Sequence, residues 1–278
     1  MKLRSQAFGV LIRGWGLAGL GTALVALGLA GMPAGAATAK QPKVFHGDYT
    51  VSILGLTVAK SSFTTRINGD RFLVEGSLSS AGLAELFDDT KGTTTVSGVF
   101  FDDAVWPRVF RTEYTSGKKK QFTEINFAQG GVTKTLNVPP LKPRGKDWVK
   151  VSPGDLAAVA DPISATLIRA AKPDDVCKRR VKMYDGEMRA DLALSHVSTG
   201  ETTVGGFTGP VVTCSARFLP VSGYRKGRKQ IDFLKNRSDI KIAFAQLGTT
   251  GIYAPVQATV GTEIGTLTIE AGRFEAED

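Results

Sequence analysis

Two histidines, two cysteines and a scatter of carboxylates are the residues of this 278-residue chain whose types suit catalysis or metal ligation. His196 directly follows Ser195. Neighbours on a strand point to opposite faces, so the two cannot act as base and nucleophile. His46 stands alone. So few His and Cys residues make a zinc site unlike this sequence, and no metal or cofactor is expected. There is no Gly-x-Ser-x-Gly, His-Glu-x-x-His, P-loop or dinucleotide fingerprint. Carboxylate chemistry would have to come from Asp161, Asp185, Glu187 or Asp191, two of them facing one cleft at roughly 5–10 Å. Structural work explains these residues better. Asp161 precedes Pro162 as a helix cap, Asp185 precedes Gly186 in a turn, and Asp191 can pair with Arg189 two residues away on one strand face.

The cysteines carry a clearer signal. Around Cys177 the even positions Lys178, Arg180 and Lys182 are basic, while Cys177, Val181 and Met183 fall on the other parity. Cys214 shares its parity with Val212, Ala216 and Phe218. Period-two alternation turns both thiols inward, and a disulfide between Cys177 and Cys214 is the expectation. It would close a separation of 37 positions.

That expectation depends on compartment. Residues 1–39 contain no Asp or Glu; Lys2, Arg4 and Arg13 precede an apolar Leu/Ala/Gly run, and small residues follow Pro33. This is the layout of a secretory signal, cleaved after Ala36 or Ala39. The formal charge of +9 then falls to +6 on 239 residues. No later stretch can span a bilayer as a helix. The expected address is the periplasm, which disfavours nucleic acid as a partner despite a pI near 9.6. A modest positive charge suits phospholipid, lipopolysaccharide or cell-wall polymer, or serves solubility alone. One dense basic cluster, Tyr224-Arg225-Lys226-Gly227-Arg228-Lys229, is the candidate for binding an anionic ligand; Lys118–Lys120 reads as a solvated hairpin tip.

The elements that must position these residues are strands. Tyr49, Val51 and Ile53 alternate. Turn signals recur at Gly55, Asn68-Gly69, Ser116-Gly117, Gly130-Gly131 and Asp185-Gly186. Such turns between alternating runs mark antiparallel hairpins. Two helical pieces interrupt: a brief one over Gly82–Phe87, and a better-marked one over Ser152–Ala171, opened by Ser152, Pro153 and Asp155 and restarted at Asp161-Pro162. The fold class is all-β, mainly antiparallel, as a curved or barrel-like sheet with one or two short covering helices around 152–171. Residues 40–278 form either one β domain or two sheet halves joined near 139–172.

Several of these residues also make an ordered pattern: Asp161-Pro162-Ile163-Ser164, then Tyr184-Asp185-Gly186 with Arg189 and Asp191, then Cys214 with Arg217, Pro220 and Gly223-Tyr224. With Tyr49, Gly55-Leu56 and Trp106-Pro107 it resembles an exported Gram-negative bacterial family, the domain of unknown function DUF3108. Ala190 departs from the pattern, where an aromatic is expected. The resemblance spans nearly the whole processed chain. It implies a periplasmic, β-rich protein and implies no activity.

Three functional expectations follow. The leading one is a non-catalytic periplasmic protein that supports the cell envelope by binding an envelope component or another envelope protein. The alternative is a carrier of a lipid or other apolar ligand, held against the concave face of the sheet. The third is a hydrolase of glycan or lipid built on the carboxylates. A filled interior favours the first over the second, and a hollow one the reverse.

Overall fold

The computed structural model describes residues 42–82 and 89–277. The segment expected to be a signal and the expected Gly82–Phe87 helical piece, apart from Gly82 itself, lie outside the described residues. Seven strands come first: β1 (Lys43–Ile53), β2 (Leu56–Asn68), β3 (Arg71–Ser80), β4 (Thr90–Phe101), β5 (Ala104–Ser116), β6 (Lys119–Ala128) and β7 (Gly131–Val138). A connection containing β8 (Trp148–Val149) and β9 (Ile168–Arg169) leads to β10 (Arg180–Tyr184), β11 (Arg189–Val204), β12 (Phe207–Ser222) and β13 (Tyr224–Arg225). Helix α1 (Lys229–Asn236) precedes β14 (Ile240–Gln246), β15 (Ile252–Thr262) and β16 (Gly265–Ala276).

One sheet takes fourteen of these strands. Its path runs β10-β11-β12-β14-β15-β16-β1-β2-β3-β4-β5-β6-β7, with β9 pairing the start of β15. Neighbours along the path are antiparallel. The two sheet halves anticipated on either side of 139–172 are therefore continuous, and that connection joins the two edges. The edges themselves do not pair as a ladder. Other bonds span the gap. Asn137 of β7 donates to the Gly186 carbonyl at 3.1 Å. Val159 N–H donates to Gly130 O of the β6–β7 turn, and Ala160 exchanges bonds with Lys182 and Tyr184 of β10. Satisfying edge groups in this way blunts the hazard of an open sheet.

Tight turns fall where glycine signals them. The β6–β7 turn is Gln129-Gly130 with φ of 51° and 75°, both positive as a type I′ turn requires. Gly205 and Gly206 do different work at the β11–β12 tip. Gly206 N–H donates to Ala271 O, and a Cβ at Gly206 would lie 1.9 Å from the Gly272 carbonyl oxygen. Only glycine lets this long hairpin fold onto β16.

The helix reading of 152–171 resolves into two 3-10 turns, Pro153–Leu156 and Ser164–Thr166. The first carries the expected capping box between Ser152 and Asp155. Helical spacing of Ile163, Leu167 and Ala170 does not extend into an α-helix. Ile168 pairs with Tyr253 of β15 and is buried there, so tertiary pairing overrides local periodicity. Cys177 likewise sits in a turn ahead of β10, not on the strand. The inward orientation still holds: both cysteines are fully buried and their sulfurs are bonded, with Cα atoms 5.5 Å apart. Val176, Leu194, Val212 and Phe244 pack around them.

Candidate functional site

The ladder registers stack the inward residues of β1–β6 in rows. One row reads Phe45, Thr65, Val74, Val96, Phe110, Ile125, and every member is buried. The next row reads Gly47, Phe63, Gly76, Thr94, Thr112, Thr123. The row beyond it reads Tyr49, Ser61, Leu78, Gly92, Tyr114. Side-chain volume collapses between the first row and the second. A curved sheet whose inward residues shrink to Gly and Thr cannot fill its own interior.

The result is a groove of about 690 Å³. That lies within the range of small-molecule sites, roughly 300–1,000 Å³. Its walls include Val51, Phe63, Val74, Leu78, Phe110 and Ile269, and among the described residues no charged side chain contributes. Two of the polar wall groups are engaged. The Tyr49 hydroxyl donates to Pro255 O at 2.9 Å, and Gln257 donates to Glu270 at 3.0 Å. Burial, reinforced by nearby Asp48, pushes the Tyr49 phenol above its ordinary range, so it stays neutral. Gly76 earns its place: a Cβ there would meet the Phe63 ring at 2.5 Å.

One end of the groove is shut by the 157–170 segment. Pro162, Ile163, Thr166 and Leu167 line it. This floor is tied to the hairpin turns at that end. Arg169 pairs with Asp70 at 2.7 Å and lies over the Phe100 ring, and Val159 holds the β6–β7 turn. Asp161 organises the floor. Its Oδ1 accepts from Ile163 N–H and Ser164 N–H, both at 2.9 Å. Its Oδ2 and the Ser164 hydroxyl are buried without a hydrogen-bond partner among the described residues. Burial pushes the Asp161 carboxyl up to about 6, the capping bonds only partly opposing it.

The other carboxylates sit in separate structural roles. Asp185 Oδ1 accepts from Glu187 N–H and Met188 N–H in the β10–β11 turn, and burial raises its pKa. Asp191 forms the expected pair with Arg189; both are buried, and Arg180 stands 3.6 Å from the second oxygen. Arg189 Nε also donates to Asp155 O at 2.8 Å. Glu187 pairs with Arg144. His46 lies between Thr64 and Glu277, and His196 contacts Thr199.

The basic cluster divides. Arg225, Lys226 and Arg228 line a cleft of about 490 Å³ together with Arg144 and Trp148. The Arg144 guanidinium lies 4.5 Å from the Trp148 ring centroid. Tyr224 instead pairs with Val149 in the small β8–β13 sheet, and Lys229 begins α1. Sequence reading did not single out Arg144 or Trp148. Their proximity depends on the β8–β13 pairing of distant segments, for which two-residue strands leave no periodic signal.

The model of a family described as "Protein of unknown function (DUF3108)" matches residues 48–271. The chain belongs to that family. Its DUF3108 pattern residues are spread over the floor (Asp161, Pro162, Ser164), the β10–β11 hairpin (Tyr184, Asp185, Gly186, Arg189, Asp191) and the β12–β13 region, where Gly223 and Tyr224 sit. Of the pattern as a whole, Pro162, Ile163 and Tyr49 line the groove. No curated protein matches the chain. Among solved structures it is similar to a beta-barrel-like protein of domain of unknown function DUF1849 from Brucella abortus, at 9% identity and a TM-score of 0.48, over 86% of this chain and 98% of that one.

Proposed function

We infer that this DUF3108 protein binds an elongated apolar ligand, such as the acyl chain of a lipid, and carries it without chemically altering it. The periplasm is its proposed place of work, on the strength of the signal pattern in residues 1–39. One observation carries the reading: a groove with no charged side chain among the described residues opens where the ladder rows pass from Val74, Val96 and Phe110 to Gly76, Thr94 and Thr112. A scaffold would gain stability by filling that volume, since each buried methylene contributes about 0.8 kcal/mol. Small residues there instead leave room for a ligand's methylenes. The hydrolase alternative draws no support from its carboxylates, because Asp161 caps a turn, Asp185 caps another and Asp191 is held in an ion pair.

A polarity-sensitive fluorescent fatty acid tests this. Wild-type protein should bind it saturably. Thr112→Trp and Thr94→Phe, made separately, place a ring in the groove. Excluding about four ligand methylenes costs roughly 3 kcal/mol, more than a hundredfold in Kd. Two positions guard against one variant failing to fold. Absence of binding by wild type, or equal binding by two folded variants, would refute the reading.

A further inference from the structure

Strand connectivity puts the β15–β16, β1–β2 and β5–β6 turns at the end of the sheet opposite the 157–170 floor. The groove reaches that end at Thr90 and Tyr114, and among the described residues that end is its mouth. It carries the two most exposed large apolar residues of the described chain, Leu54 (73%) on the β1–β2 turn and Ile264 (72%) on the β15–β16 turn. The tips touch: a Cβ at Gly265 would lie 2.5 Å from Leu54 Cδ2. Leu56, Leu78 and Tyr114 continue the exposed apolar rim.

Leu54 is costly where it stands. It has φ of 51° and Gly55 has φ of 79°, a turn conformation that favours Asn, Asp or Gly at its first position. A leucine there bears left-handed backbone strain and gains almost no burial in return. Folding alone therefore does not explain it. Three exposed lysines, Lys118, Lys119 and Lys120, crown the β5–β6 turn at the same end. Three strand spacings, roughly 15 Å, separate β2 from β5 along the sheet. Opposing charge at this end is limited among the described residues. Glu263 adjoins Ile264 and Glu113 is exposed on β5 on the same face as Lys120, while Asp89 is paired with Lys91 and Asp239 with Lys241.

We propose that the mouth of the groove docks on the surface of an anionic phospholipid bilayer, Leu54 and Ile264 entering the interface and Lys118–Lys120 meeting the headgroup charge. Apolar tips combined with basic side chains are the chemistry of reversible interfacial attachment. The inference rests on the groove reading, because docking mouth-down would let a lipid pass between bilayer and groove without crossing water.

Co-sedimentation with vesicles tests docking apart from ligand binding. Wild-type protein should bind vesicles of phosphatidylcholine mixed with phosphatidylglycerol, bind phosphatidylcholine vesicles far less, and release as salt rises. Replacing Lys118, Lys119 and Lys120 by Gln should weaken binding about a hundredfold, at roughly fivefold per lysine near an anionic surface. The double variant Leu54→Asn/Ile264→Ser should lose binding about tenfold or more, keep its melting temperature because Asn suits the turn, and still bind the fluorescent fatty acid from solution. Thr112→Trp should show the converse, with vesicle binding kept and the fatty acid lost. Failure of wild type to sediment with anionic vesicles at low salt would overturn docking whatever the fatty-acid result. So would undiminished sedimentation of the folded double variant.

Discussion

Asp161→Asn isolates the charge on the groove floor from its capping role. In the folded protein this carboxyl titrates at about 6 against an ordinary 3.8, because burial disfavours its charged form more than the capping bonds favour it. Between those two pH values the folded chain holds a proton that the unfolded chain has released. Stability from this group therefore falls as pH rises through that window and levels off above it. A displacement from 3.8 to about 6 corresponds to roughly 3 kcal/mol. Asn keeps an oxygen for the Ile163 and Ser164 amides and never ionises. Relative to wild type, Asp161→Asn should gain nothing near pH 4 and up to about 3 kcal/mol at pH 7.5, some 6–12 °C in melting temperature for a domain of this size. Asp161→Ala removes the cap as well, costing about 1 kcal/mol or more. Urea titrations of the three proteins across this pH range give the difference directly, with titration of the other carboxylates cancelling in the subtraction. A wild-type-to-Asn difference that stays flat with pH would refute the reasoning. An Asn variant less stable at pH 7.5 would do so equally.

Replacing Cys177 by Ser opens a loop of 37 positions, which the chain-entropy relation values at about 4 kcal/mol. The melting temperature should drop by roughly 8–16 °C, and an unchanged value would contradict the structural role of the bond. Asp191→Ala leaves Arg189 buried without its carboxylate. A loss of about 3–5 kcal/mol by denaturant unfolding is expected, and a loss under 1 kcal/mol would show the arginine finding water.

Much of the sheet was legible because its hairpins are punctuated locally. Gly69, Gly117 and Gly130 mark turns with positive φ, and alternation around Cys214 reports a half-buried strand. The disulfide was readable from an even cysteine count with an export pattern and from the inward parity of Cys214, although Cys177 itself precedes its strand. The 152–171 segment was not, because Ile168 answers to Tyr253, a partner 85 positions away. Helix α1 was masked as a basic cluster: Ile231, Phe233 and Leu234 lie between Arg228 and Lys235, and a single short helix gives weak periodicity. A hollow concave face was one of the expectations, but the residues that make the groove were invisible for a deeper reason. Gly76, Thr94 and Thr112 are unremarkable in their own strands. They make a hollow only in lateral register, and register is a property of the folded sheet.

Whether the interior is a ligand site can be read most directly by native mass spectrometry of the protein purified without detergent from its own host. The account predicts a population heavier than the processed chain by the mass of one lipid, released on denaturation and absent from Thr112→Trp. A single species at the mass of the bare chain, together with no uptake of added fatty acid, would contradict it.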